Sequence, residues 1–201
     1  INNHPLLKII NKKIQASEKY LSLPVTENIE DLWDKYFTKN FANRPIQEYI
    51  LHQTWYRPRD IVRLLSIAQE FHPEETKFSH SVFDSIRKEY STQSWVEHIE
   101  ELRAKYLEDE IDGIKKLLYG IKCPFTLHEI TNASDAKKNV YTEVKSLLAK
   151  YTLGDILSSL YKVGIIGNTG EKVRFAFRGD DEILFDKKLK IHDPLWNYLS
   201  I

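Results

Sequence analysis

Residues 153–178, LGDILSSLYKVGIIGNTGEKVRFAFR, decide the fold, because the apolar period changes within them. Ile156, Leu157, Leu160 and Tyr161 recur at helical spacing, and Gly164 follows as a left-handed C-cap, a place where a Cβ is a burden. Beyond it Val173, Phe175 and Phe177 alternate with Lys172, Arg174, Ala176 and Arg178, the two-residue period of a strand. Gly179-Asp180-Asp181 reads as a turn, and Ile183-Leu184-Phe185 as the strand that pairs back. Upstream, Phe125 precedes Thr126-Leu127-His128-Glu129, a capping box with a hydrophobic staple, and Val140, Val144, Leu147 and Leu148 mark a second helix. Three helices followed by a β-hairpin predict a winged helix. Asp193-Pro194 then opens a last short helix through Leu195, Trp196 and Leu199.

Towards the N-terminus the helical period persists. Leu6, Leu7, Ile10 and Ile14 form one stripe, which Pro24 ends; Ile29, Leu32, Trp33, Tyr36 and Phe37 form the next. Asn43-Arg44-Pro45 is a break before a helix carrying Ile46, Tyr49 and Ile50. Pro58 opens another, with Ile61, Leu64, Leu65 and Ala68 on one face, and His72-Pro73 closes it. Ser79 is the expected N-cap for a helix through Val82, Phe83, Ile86 and Tyr90. From Ser94 to Tyr119 the pattern allows one long helix or two joined ones. The expected fold class is mainly α, a helical bundle over 1–120 followed by a winged-helix domain with a small β-hairpin over 121–201. The boundary is placed near Gly120 to Pro124.

Composition bounds what this chain can do. It has 201 residues, 42% of them hydrophobic and 29% charged, which fits a folded chain rather than a disordered one. Lys and Arg number 29, as do Asp and Glu, so no whole-molecule field draws it to nucleic acid or a membrane. No apolar run is long enough to cross a bilayer. Cys123 is the single cysteine, which excludes a disulfide scaffold and a cysteine-rich zinc site and fits a reducing, cytoplasmic setting. The chain contains no Met and starts at Ile1, so a piece of a longer polypeptide is expected.

Few residues offer chemistry of their own. The seven histidines include no His-x-x-x-His pair, and His72, His80 and His98 read as helix-end or exposed-face residues, so no metal site is expected. Gly164, Gly167 and Gly170 lack the Lys and hydroxyl of a phosphate loop, and no Gly-x-Ser-x-Gly elbow exists. Glu108-Asp109-Glu110 reads as a solvated face. A stand-alone hydrolase would need an acid–base pair that the sequence does not display.

For nucleic acid, the outward set of the third helix is Asp155, Ser158, Ser159 and Lys162, which offers no Arg or Asn to a base edge. Lys172, Arg174 and Arg178 on the expected strand are better placed, although Asp180, Asp181 and Glu182 would repel phosphate. From Lys122 onward 12 basic residues face 10 acidic ones, and the earlier part has 17 against 19, neither a strongly basic footprint. A winged-helix DNA-binding regulator whose helical part dimerises is the alternative function.

The segment Thr54-Trp55-Tyr56-Arg57-Pro58-Arg59-Asp60-Ile61-Val62-Arg63 carries the most weight. Proline presets the first helical turn, so Arg57 and Arg59 stand beside a helix N-terminus, where free N–H groups and guanidinium forks suit an anion. Pairing of these arginines with acids between Glu27 and Asp34 is the competing reading.

The order His4-Pro5-Leu6-Leu7, Gln53-Thr54-Trp55-Tyr56-Arg57-Pro58-Arg59-Asp60-Ile61-Val62, Leu160-Tyr161-Lys162-Val163-Gly164-Ile165-Ile166-Gly167-Asn168 and Ile191-His192-Asp193-Pro194-Leu195-Trp196 resembles the C-terminal region of a family of bacterial P-loop ATPases related to the STAND and KAP groups. The resemblance spans most of the chain. It implies an upstream nucleotide-binding domain that binds ATP and partners this segment, a helical lid here, and a winged helix after it. It further implies that Arg59, and Arg57 second, reach the γ-phosphate and report nucleotide state. Without Walker A and Walker B residues, this segment is expected not to hydrolyse ATP, and its winged helix is expected to contact a protein or nucleic acid.

Overall fold

The computed structural model describes residues 4–201. Those residues form eleven α-helices and two short antiparallel strand pairs, arranged in two compact units, 1–90 and 91–201.

In the first unit, α1 (Pro5–Tyr20) starts at His4, whose Nδ1 accepts the Leu6 N–H at 3.3 Å. Asn28 caps α2 (Ile29–Tyr36) by accepting from the Glu30 and Asp31 N–H groups. The pair β1 (Asn40–Phe41) and β2 (Arg44–Pro45) is closed by Ala42 and Asn43 at φ 50° and 59°, the two successive positive values of a primed hairpin turn. Then come α3 (Ile46–His52), α4 (Pro58–Phe71) with Pro58 at its first position, and α5 (His80–Ser85), where Ser79 accepts the Val82 N–H as expected. Leu7, Leu32, Trp33, Phe37, Ile50, Leu64 and Phe83 lie in one buried cluster.

A polar knot crosses this unit. The Glu18 side chain, 1% exposed, accepts from Lys35 Nζ and Thr26 Oγ1 at 2.7 Å, from the Thr26 N–H at 2.7 Å and from Tyr36 Oη at 2.8 Å. Lys35, helped by the Thr26 N–H, holds its carboxyl far below the ordinary 4.5, down to about 2.

The helix α6 (Arg87–Leu102) contains the division between units. The second unit continues with α7 (Glu108–Leu118), α8 (Leu127–Lys137), α9 (Thr142–Lys150) and α10 (Leu153–Lys162). The expected capping box holds: Thr126 Oγ1 accepts the Glu129 N–H, and Glu129 Oε2 accepts the Thr126 N–H. Gly113 lets α7 close on α9, because a Cβ there would stand 2.8 Å from the Glu143 carbonyl oxygen. After Gly164 at φ 77°, β3 (Ile166–Asn168) pairs antiparallel with β4 (Leu189–Ile191) in the register Ile166↔Ile191, Gly167↔Lys190 and Asn168↔Leu189. Phe125 adds a bridge to Leu189, and α11 (Trp196–Leu199) follows a 3-10 turn at Asp193–Leu195.

Several expectations need correction. The strands are 166–168 and 189–191, not 173–178 and 183–185; Arg174 makes one bridge to Asn168, and Ala176–Arg178 is a 3-10 turn. The reason is aromatic: the Phe175 and Phe177 rings stack at 5.0 Å and 16°, and Phe175 presses onto Gly167. Lys172, Arg174 and Arg178 therefore share no strand face. The stretch from Ser79 to Tyr90 is two helices broken at Ile86. The units meet between Tyr90 and Ser91, and α7 packs on α8 and α9. His98 is buried with Nδ1 2.9 Å from the Ser94 carbonyl. Glu110 is buried too, accepting from Lys150 at 2.7 Å and from the Leu107 N–H at 2.9 Å, so only Glu108 and Asp109 are solvated. Lys150 first, then that N–H, keeps the Glu110 carboxyl below its usual range.

Candidate anion-docking site

Tyr56, at φ 56°, turns the chain so that Arg57 becomes the N-cap and Arg59 the second residue of α4. Asp60, in the third position, is buried. Its Oδ2 reaches back to accept the Trp55 N–H at 3.0 Å, which fixes the loop ahead of the helix. Its Oδ1 lies 3.5 Å from Arg63 Nη2, and the Arg63 guanidinium also sits 5.3 Å from the Tyr90 ring centre. Tyr90 Oη donates to the Gln53 carbonyl, tying the same loop from the other side. Asp60, Arg63 and Tyr90 thus form the support beneath the two arginines.

Arg57 is half-buried. The Arg59 side chain is 58% exposed, with Nε 3.9 Å from Asp60 Oδ1. Asp60, its own neighbour on the helix, is thus one acid beside Arg59. At that distance from an exposed guanidinium a carboxylate exerts only a weak, solvent-screened attraction.

A second helix end, which the sequence reading did not bring to this place, lies beside it. The His4 ring lies 5.6 Å from that of Tyr56, which brings the start of α1 to the start of α4. An apolar groove of about 190 Å³ is lined by Ile9, Lys13 and Ile14 with Pro58, Val62 and Leu65, and the neighbouring groove by Ser17 and Leu21 with Gln69 and His72, so from the His4–Tyr56 contact the two helices run in the same direction. Two helix N-termini, each with proline at its first position, therefore point the positive ends of their dipoles the same way. The repeated X-Pro start, His4-Pro5 and Arg57-Pro58, was the available signal.

The four cations assigned to nucleic acid, Lys162, Lys172, Arg174 and Arg178, are all exposed. On α10 the outward Ser159 is already engaged: its Oγ accepts from Tyr106 Oη and Lys105 Nζ at 2.9 Å each and donates to the Asp155 carbonyl. Among the described residues no group of His, Cys, Asp and Glu could hold a metal ion, and no helix is long and apolar enough to cross a membrane. Cys123 is a free thiol whose burial raises its pKa, away from the reactive thiolate.

Residues 4–97, just under half of the chain, match a family model described as a FunZ-associated C-terminal helical domain. That description agrees with a C-terminal helical region and does not name the STAND or KAP ATPases. No curated protein and no solved structure matches the chain.

Proposed function

We propose that this chain is a non-catalytic regulatory segment of a larger P-loop ATPase, in which the first unit docks on a nucleotide's phosphates and the second makes a protein or nucleic-acid contact. The observation that carries the reading is the exposed Arg59 guanidinium at a place where two helix N-termini point the same way. Each helix start adds the positive end of a dipole, and a guanidinium offers a charge-assisted fork to phosphate oxygens. Asp60 and the Trp55 N–H fix the approach, so little ordering is left for the moment of docking. Arg57 supports from the N-cap position. ATP, bound by an upstream domain of the same polypeptide, would supply the phosphate, as the resemblance implies. The matched family's description as a C-terminal, associated domain is consistent with such an arrangement.

Arg59→Ala in the polypeptide that joins both regions should abolish the nucleotide-dependent change in protease sensitivity of this segment while leaving its folding intact. Unaltered nucleotide response, ATP affinity and turnover in that variant would sink the proposal. The isolated chain should show no ATP hydrolysis above buffer.

For the second unit, the order α8, α9, α10, β3, β4, with Phe125 bridging Leu189, supports a winged-helix reading with strands shorter than the sequence suggested. Exposure of Lys162, Lys172, Arg174 and Arg178 favours a phosphate-bearing duplex as its contact. Loss of duplex binding on neutralising the last three, with a shallower dependence on salt, is the expected result; binding that survives their neutralisation with the same salt dependence would remove it.

A further inference from the structure

Residues 179–186, the turn that replaces the expected hairpin tip, do not project from the second unit. They lie along α10. At one end Tyr161 Oη donates to the Asp180 carbonyl at 3.0 Å. At the other, Phe185 Cζ lies 4.0 Å from where a Cβ on Gly154 would stand. Gly154 and Tyr161 are about 10 Å apart along the helix axis at 1.5 Å per residue, so the segment covers roughly two turns of its flank.

One side chain holds the middle. Asn168, buried at the end of β3, donates through Nδ2 to the Glu182 carbonyl at 2.8 Å and to Asp180 Oδ2 at 3.3 Å. Its Oδ1 accepts the Leu184 N–H at 2.8 Å. Most of these anchors grip backbone. The carboxylates of Asp181, Glu182 and Asp186 stay exposed. Arg174 belongs to the same neighbourhood: Asp180, Asp181 and Arg174 all act on the Tyr161 hydroxyl, whose pKa is pushed up chiefly by burial and then by Asp180. Arg174, bridged to Asn168, thus stands by the Asp180 carboxylate that the same Asn168 holds, and it is one of the cations that a phosphate backbone would use.

We propose that this acidic segment is a built-in strap that masks a duplex-DNA contact surface formed by α10 and the Lys172–Arg178 stretch, by covering the helix flank and placing carboxylates where phosphates would lie. This rests on the nucleic-acid reading of the second unit. Binding then requires the strap to lift off Asn168 or its charge to be removed; the Tyr106–Ser159 bond covers the opposite flank of α10 in the same state.

The test compares three forms of the chain by fluorescence anisotropy with a labelled duplex of about 20 base pairs, at salt between about 50 and 200 mM. They are the unaltered protein, Asp181→Asn/Glu182→Gln/Asp186→Asn, and Lys172→Gln/Arg174→Gln/Arg178→Gln. The first variant keeps every backbone anchor of the strap, and circular dichroism checks its fold. Masking predicts at least about tenfold tighter binding for the strap variant at low salt, by removal of charge repulsion, and loss of binding in the cation variant. Equal binding by the strap variant and the unaltered chain would overturn the strap and leave the nucleic-acid reading standing. No binding by the unaltered chain and the strap variant would overturn both.

Discussion

At Gly167 a methyl group would meet the Arg174 carbonyl oxygen at 2.5 Å and the Phe175 ring at 2.6 Å. Neither can retreat, since Arg174 is bridged to Asn168 and Phe175 is stacked on Phe177. Gly167→Ala should therefore cost about 1–3 kcal/mol through overpacking, read as a lowered urea midpoint with an unchanged slope. Glu18 makes a different case. Its carboxyl titrates lower in the folded chain than in the unfolded one, so its stabilising contribution is present above pH 4.5 and is lost as the pH falls towards 2. Glu18→Gln should be less stable than the parent at neutral pH, and the gap measured by urea unfolding should narrow steadily below pH 4.5. A gap that stayed constant down to pH 2 would show that the carboxylate's charge is not what Lys35, Tyr36 and Thr26 are reading.

Helices α7 and α10 each carry a glycine, with opposite consequences. Gly113 brings α7 against the backbone of α9, so Gly113→Ala should destabilise by about 1–3 kcal/mol, although alanine is the better helix former. At Gly154 the nearest atoms to an added Cβ are 3.8 and 4.0 Å away, which is ordinary contact. Gly154→Ala should stabilise by up to about 1 kcal/mol, seen as a raised melting temperature. These elements were readable in advance where their signals are local: Pro58 opening α4, Ser79 capping α5, the Thr126–Glu129 box and the left-handed Gly164. Failures came where a distant partner decides. The apolar alternation of residues 173–177 was overruled by two rings stacking and by Asn168 drawing residues 182–184 inward. Glu110 looked solvated because Lys150 cannot be seen from its own segment. For the candidate site, the place of Arg57 and Arg59 beside a helix start was legible from Pro58, whereas the arrival of α1 at the same point depends on a His4–Tyr56 contact across 52 residues of chain.

For the molecule as a whole, the zero formal charge places the isoelectric point near 7.2. Solubility should pass through a minimum close to that pH and rise on either side, because self-repulsion vanishes where net charge does; a precipitation series across pH 5 to 9, about two units each way, checks it. The tryptophans have a consequence of their own. Trp33 donates to Asn11 at 2.8 Å and Trp55 is enclosed, both in the first unit. In the second, Trp95 stacks on Tyr198 and Trp196 donates to the Ile191 carbonyl. Each half of the chain thus carries its own pair of intrinsic fluorophores, and replacing one pair with Phe would let emission colour show, without any label, which half melts first.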